Sequence, residues 1–406
     1  MITLLVVLDA RISMLHATTA QHLGNYEIHS FIPSLLHSPT STMGRRQRLI
    51  STSILRAIFI TKPASSDDTA EPALLVRILA FFSVFQLTLT RYRHLVFEKL
   101  RNEAWQIDEE EYTESFRSPS KGKRTDLKSV GDLGYSGSTF FTTPNDKFLV
   151  KSLPRHFEQS FFRKRLLDPY VEHMQFNRDS LLVRITDLLY CPTSTLGALL
   201  GVAPSHHIVM ENILYGKSTY SQDQQKRWET FDLKPSEYFF PERDIAGGRL
   251  APESVKDRLI DEFDDKIRVT IDQKEELVAQ LVRDSALLRE HNAVDYSLFL
   301  VRYPADLNSA EDKVPCPPGR GSAWRTGVVS RDGQWVYRVI VLDFFWSKDA
   351  LQAHAFTGLV NLYNTLTFGR DHGPMTITTS SDDYRQRFLG MVEKMVEAAD
   401  SPIGMR

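Results

Sequence analysis

The stretch from Gln273 to Asp343 places the tightest constraint on how this chain folds. Between Gln273 and Glu290, the residues Leu277, Val278, Leu281, Val282 and Leu288 share one face at helical spacing, with good helix formers between them. The helix ends near His291-Asn292, and two apolar strand-like runs follow. Asp295 stands just before the first run, in AVDYSLFLVRY, and Asp343 directly follows the second, Trp335–Leu342. A loop containing Pro304, Pro315, Pro317, Pro318 and Gly319 separates them. Any fold must therefore set two carboxylates at the ends of apolar strands beside a long amphipathic helix.

Composition excludes several classes. The chain has 406 residues, room for two or three domains or one two-lobed unit. With 42% hydrophobic and 25% charged residues, neither wholesale disorder nor a multi-span membrane protein fits. Forty-nine basic and 51 acidic residues leave a net charge of −2, which gives no reason to expect nucleic acid as a bulk electrostatic partner. Cys191 and Cys316 are the two cysteines, so a disulfide framework and a cysteine-built zinc site are both excluded. These figures describe a globular protein of a reducing compartment.

Residues 1–70 read differently from the rest. MITLLVVLD lacks a basic flank and a small-residue cleavage site, which argues against a secretory signal. Ser34 to Ser66 is rich in Ser, Thr and Pro around Arg45, Arg46 and Arg48, and reads as mostly a mobile tail, with a phosphorylatable or membrane-attracted arm as the alternative. Ala73–Leu89 is nearly all apolar, but its 17 residues include Arg77 and Gln86. About 20 apolar residues are needed to cross hydrocarbon, so a buried or lipid-surface helix is expected, continuing through Tyr92, Leu95, Val96 and Leu100. A final helix is expected from Asp382 to Ala399.

Gly134 to Leu153 is the first segment to suggest chemistry. The strand-like runs Ser138–Thr143 and Phe148–Leu153 flank the turn residues Pro144-Asn145-Asp146. Gly134 and Gly137, with Ser136 and Ser138 beside them, form a loop whose backbone N–H groups can approach phosphate oxygens. Lys151 lies within the apolar second strand. Taken locally, this is either a nucleotide-phosphate site or an ordinary hairpin with an edge lysine. The basic cluster from Arg155 to Arg165, including Arg163, Lys164 and Arg165, is either a solvated helix face or an attraction for an anionic surface. Residues 206–214, HHIVMENIL, read as a short strand leading into a polar link, and residues 256–276 form an acidic surface stretch. Asp295 is either a cap or a proton acceptor held at a cleft mouth. Asp343, directly after its strand, is placed as a Mg²⁺ ligand would be.

Taken in order, these elements resemble the phosphatidylinositol phosphate kinases over roughly residues 92–395. VFEKLRNEAWQIDEEEYTESF (96–116) is similar to the family's opening helix and the segment after it, and GYSGSTFFTTPNDKFLVKS to its glycine-rich hairpin. IVMENIL is similar to its hinge, FDLKPS to its aspartate-leucine-lysine-glycine-serine motif, and VDYSLFLV to its methionine-aspartate-tyrosine-serine-leucine motif. VIVLDFF matches the strand ending in the metal-binding aspartate, and ITTSSDDYRQRF (377–388) the closing segment. The resemblance implies an α+β, two-lobed, SAICAR synthase-like fold with antiparallel sheets and ATP in a cleft between the lobes. Its divisions would be a tail at 1–70, an amino-terminal lobe at 71–215 and a carboxy-terminal lobe at 216–406.

The same resemblance implies the site. Lys151, Asp295 and Asp343 would be catalytic, with Asp343 holding Mg²⁺. Ser136, Gly137, Ser138, Lys151, Asn212 and Ile213 would bind ATP, and Lys234, Arg163, Lys164 and Arg165 an anionic lipid headgroup. The implied activity is ATP-dependent phosphorylation of an inositol-ring hydroxyl of a phosphatidylinositol phosphate. The implied setting is cytoplasmic, with peripheral contact to an anionic membrane and a homodimer as an open alternative. The chain departs from the family in four places, the first three being Pro235 in place of glycine, Glu237–Asp244 in place of the usual continuation, and Val-Leu-Asp in place of two isoleucines and aspartate. The activation loop, about Leu366–Thr378, is short and lacks the family's paired lysines; Arg370 is its basic residue besides His372. A non-catalytic kinase-like binding module and a kinase for a soluble inositol phosphate stay open as alternatives.

Overall fold

Proline fixes φ at the start of the Pro144-Asn145-Asp146 turn, and Asp146 closes it in the left-handed region at φ 60°. The Asp146 N–H donates to the Thr143 carbonyl at 2.9 Å, and Thr143 Oγ1 donates to Asn145 Oδ1 at 2.9 Å. The strands this turn joins, β3 (Phe140–Thr142) and β4 (Phe148–Ser152), follow the expected hairpin. The computed structural model describes residues 44–59, 85–118, 126–131, 138–193, 195–199, 203–235, 263–308, 313–347 and 380–400. Its elements are α-helices and mainly antiparallel sheets, an α+β chain.

Residues group into two compact units that alternate along the sequence. The first comprises Met1–Phe97, Glu110–Pro154 and Ile185–Met210. Its six-stranded sheet has the order β1-β5-β6-β4-β3-β2, with β1 at Thr90–Arg91, β2 at Lys128–Gly131, β5 at Ile185–Tyr190 and β6 at His206–Glu211. β4 lies between β3 and β6, so Phe148, Val150, Lys151 and Ser152 are all buried, which is why its sequence reads as a nearly continuous apolar run. β1 replaces the expected helix through Tyr92: Thr90 and Arg91 pair with Tyr190 and Leu189, and helix α2 starts at His94 and ends at Lys99. Arg91 Nε meets the buried Asp187 carboxylate at 2.7 Å, and Tyr112 Oη donates to the same group at 3.1 Å from helix α3 (Glu109–Glu114). A buried carboxylate needs such partners, and they draw Arg91 into the sheet. Residues 60–84, which hold most of the apolar run, lie outside the described residues.

Part of the expected mobile tail is instead helical. Helix α1 (Arg45–Phe59) buries Ile50, Ile54 and Ile58, four residues apart on one stripe. Ser51 Oγ accepts from the Leu127 N–H at 3.1 Å and Ser53 Oγ from the Leu87 N–H at 3.0 Å, fixing the helix within the first unit. Serine-rich composition masked this stripe: both serines face the protein rather than water.

The second unit comprises Glu98–Glu109, Arg155–Arg184 and Glu211–Arg406. After helix α4 (His156–Phe161), a π-helical turn at Phe162–Leu166 leads into α5 (Leu167–Phe176). A four-stranded sheet has the order β11-β12-β10-β7, with β7 at Glu229–Leu233, β10 at Ser297–Pro304, β11 at Val328–Val329 and β12 at Trp335–Leu342. Short pairs join β9 (Ala293–Val294) to β13 (Trp346–Ser347), and β8 (Ile267–Val269) to β14 (Val396–Ala398). Helix α6 (Ile271–Glu290) begins at a reciprocal capping box between Thr270 and Gln273. It precedes the four-residue α7 (Ala323–Thr326) and the closing α8 (Ser381–Met395). The final helix stops at Met395 rather than Ala399, because Val396–Ala398 pair in parallel with Ile267–Val269. Tyr384 and Phe388 of α8 pack edge-on against the Tyr296 ring, with centroids 4.7 and 5.0 Å away. Tyr384 Oη also donates to the Tyr296 carbonyl, so α8 braces the residue next to Asp295. Among the described residues, no helix is long and apolar enough to cross a membrane.

Candidate functional site

Strand register assembles the site of the second unit. Ser297, the first residue of β10, pairs with Leu342, the last of β12, and Leu298 pairs with Leu233, the last of β7. Asp295, Asp343 and Lys234 therefore leave three adjacent strands at the same end of the sheet. Asp295 and Asp343 both have positive φ, 64° and 62°. Such a backbone costs a residue bearing a Cβ roughly 1–3 kcal/mol, and aspartate is among the few that tolerate it. The chain thus turns sharply at each carboxylate.

Lys234 Nζ donates to Asp295 Oδ1 at 2.7 Å and to the Asp295 carbonyl at 2.8 Å. Burial alone would lower the ammonium pKa, but Asp295, Asp232 and Asp343 outweigh it and hold it above its ordinary value. Asp232 is a member that the sequence reading missed. It lies two residues before Lys234 on β7, hence on the same face of the strand. That period-two spacing within FDLK is the signal that could have found it. Crowding by protein pushes the Asp232 carboxyl upward, Lys234 opposes this, and the Asp343 and Asp295 carboxylates add to the rise. Three carboxylates around one ammonium make a negative locus suited to a cation. Their hard oxygens suit Mg²⁺, which protein sites hold through one or two carboxylates plus phosphate oxygens; Asp343 fits that role. Among the described residues no group of three or more potential ligands forms a complete metal cage.

Other expected residues lie elsewhere. In the first unit, Lys151 is buried opposite Phe140, its Nζ 5.5 Å from that ring's centroid. Ser138 is buried next to Thr139, whose N–H donates to Ser152 Oγ at 2.7 Å; Ser136 and Gly137 lie outside the described residues. Arg163, Lys164 and Arg165 stand on the π-helical turn, Lys164 and Arg165 exposed and Arg163 half-buried. Asn212 and Ile213 follow β6 in a tight turn, with Asn212 Oδ1 accepting from the Leu214 N–H at 3.1 Å. The activation loop and residues 236–262 also lie outside the described residues.

Buried arginines support the residues around that turn, another feature missed in the sequence. Glu211 is paired with Arg325, which also donates to the carbonyls of Ser180 at 2.5 Å and Leu182 at 3.0 Å. The Arg184 N–H donates to Glu211 Oε1 at 2.9 Å, and its guanidinium to the Pro318 carbonyl at 2.8 Å and to the Arg320 carbonyl. Burial, then repulsion by Arg325, lowers the Arg184 guanidinium to about 9, with Glu211 opposing. At Gly319, φ is 89° and an added Cβ would lie 2.7 Å from Arg184 Nη1, so glycine is needed for this wrap.

Residues 121–317 match the family described as Phosphatidylinositol-4-phosphate 5-Kinase, a span that contains Lys151, Lys234 and Asp295 but stops before Asp343. Phosphatidylinositol 4-phosphate 5-kinase of Plasmodium falciparum is 30% identical over 225 residues, 51% of this chain and 12% of that protein. A probable phosphatidylinositol phosphate kinase of Dictyostelium discoideum is 28% identical over 214 residues, 52% of this chain and 27% of the relative. The human type-1 beta phosphatidylinositol 4-phosphate 5-kinase is 27% identical over 202 residues, 50% of this chain and 34% of the relative. The matches thus span between 12% and 34% of those curated relatives' lengths. By this match, together with the ordered motifs from the glycine-rich hairpin to Asp295, the chain is similar to the phosphatidylinositol-4-phosphate 5-kinase family over residues 121–317.

Proposed function

We propose that the chain transfers the γ-phosphoryl group of ATP to an inositol-ring hydroxyl of a phosphatidylinositol phosphate lipid. The observation that carries this reading is the convergence of Lys234, Asp295 and Asp343 at one end of the β7, β10 and β12 strands. The hydroxyl oxygen would bond to the γ-phosphorus as the bond to the β,γ-bridging oxygen breaks and ADP leaves. Asp295 would orient the hydroxyl and take its proton. Asp343 would hold Mg²⁺, which when bound neutralises phosphate charge. Lys151 and the loop around Ser136, Gly137 and Ser138 would hold ATP phosphates, and Asn212 and Ile213 would border the adenine.

Lys234 is held by Asp295 and surrounded by acid, so an incoming phosphate monoester would offer it a second anionic partner. Exposed Lys164 and Arg165, with Arg163, would draw the protein toward anionic membranes from a cytoplasmic location. A radiolabelled-ATP assay with phosphoinositide vesicles, soluble inositol phosphates and no acceptor tests this function. Label should enter lipid, and Asp343→Asn should abolish transfer while far-UV circular dichroism stays unchanged. Label in soluble inositol phosphates alone would shift the substrate; nucleotide binding without transfer would favour the binding module; full turnover by the variant would refute the site.

A further inference from the structure

Arg338, in the middle of β12, is fully buried and donates to four backbone carbonyls. Nη1 reaches the carbonyls of Ile213 at 3.1 Å and Tyr215 at 2.8 Å, Nη2 that of Pro315 at 2.9 Å, and Nε that of Thr326 at 3.1 Å. The guanidinium lies 5.6 Å from the Trp228 ring centroid and 5.3 Å from that of Tyr303. No carboxylate is among its described partners. A buried cation sustained by carbonyl dipoles and aromatic faces is expensive, and a well-packed hydrophobic side chain is often at least as stabilising. What an apolar residue could not do is fix three separate chain segments in one geometry. Two of those carbonyls belong to the turn that carries Asn212 and Ile213, while the strand that carries the guanidinium ends on Asp343.

We propose that Arg338 is a positioning residue for the nucleotide, clamping the turn that holds the adenine to the strand that ends in the metal-binding carboxylate. This rests on the kinase reading above, with Asn212 and Ile213 beside the adenine. Lysine keeps the charge at this position but cannot span four acceptors with one planar fork. In Arg338→Lys, the KM for ATP should rise about tenfold, kcat should stay within threefold, and the KM for lipid should not change. Equilibrium binding of a fluorescent ATP analogue should weaken by the same factor. A matched control is Val339→Ala, which opens a cavity in the same buried strand without touching those carbonyls. Equal KM values in the wild type and Arg338→Lys, or an equal rise in Val339→Ala at a matched loss of thermal stability, would overturn the inference. In wild-type protein, which needs no variant to fold, ATP should slow amide exchange from Ile213 to Tyr215; unchanged exchange there would also overturn it. Wild-type protein that binds ATP with Arg338-dependent affinity but phosphorylates no acceptor would refute the kinase reading and leave the clamp standing. Wild-type protein that binds no ATP would overturn both.

Discussion

His207 sits on β6 within the six-stranded sheet, wholly buried, and neither ring nitrogen has a hydrogen-bond partner among the described residues. Burial, reinforced by the neighbouring His206, lowers its imidazole from 6.5 to about 3. The folded state therefore binds this proton less readily than the unfolded chain. Its stability contribution is intact above the unfolded value and is lost as the pH falls below it. Integrating between those two values gives a loss of about 2 kcal/mol from pH 7 to pH 5, and roughly 5 kcal/mol once the pH is below 3. His207→Leu removes the titration at similar volume and also removes two unsatisfied polar atoms, which should add about 1–3 kcal/mol at neutral pH. All five tryptophans belong to the second unit, so indole fluorescence would not follow this sheet directly. The suitable assay is hydrogen exchange at pH 7 and pH 5, corrected for intrinsic rates, on peptides covering Ile185–Tyr190 and His206–Glu211. Wild-type opening free energies should fall by about 2 kcal/mol more than those of the variant. Parallel losses in the two proteins would refute the argument, since every other titrating group is common to both.

Two further outcomes test other parts of the structure. Asp232→Asn removes one of the three carboxylates around Lys234 at nearly unchanged volume, so turnover should drop tenfold or more with the urea midpoint unchanged. Ile54→Ala empties a fully buried site on α1 and should cost about 2–5 kcal/mol in urea unfolding followed by circular dichroism; a loss below about 0.5 kcal/mol would mean that α1 does not belong to the core.

Legibility in the sequence followed the range of the forces involved. Helix α6 shows its apolar stripe locally, and β12 was readable to the residue because eight strand-compatible residues end abruptly on an aspartate. The hairpin of β3 and β4 was readable because its turn is built from its own side chains. The break at Thr90–Arg91 was not, since it is imposed by Leu189, Tyr190 and Asp187, about a hundred residues away. The stop of α8 at Met395 likewise depends on pairing with Ile267–Val269. Helix α1 was hidden for a different reason: a composition argument treated Ser51 and Ser53 as markers of a solvated tail, whereas both accept backbone hydrogen bonds in the interior.

The site divides along the same line. Asp295 and Asp343 could be read because a carboxylate at the end of an apolar strand is a one-dimensional pattern. The groups that hold the surrounding loops could not, because a sequence counts each arginine as one more positive charge in a near-neutral total. Arg184, Arg325 and Arg338 are all fully buried, and their charges are matched by one buried glutamate and a set of backbone carbonyls. A guanidinium can do this where an ammonium cannot, because its donors diverge in a fixed plane and reach several chain segments at once. The family resemblance attaches proposed roles to motif residues such as Asp295, which a sequence pattern can mark. The buried arginines act through loop carbonyls, which any sequence supplies, so no motif marks them. Their significance lies in which segments they join: Arg338 joins β12 to the turn after β6, and Arg325 joins Glu211, the residue before that turn, to Ser180 and Leu182. Leu181 and Val183 in turn exchange hydrogen bonds with Val341, two residues before Asp343. The turn after β6 and the end of β12 are thus cross-linked by two independent sets of polar contacts within one unit, and a shift in either would have to break both.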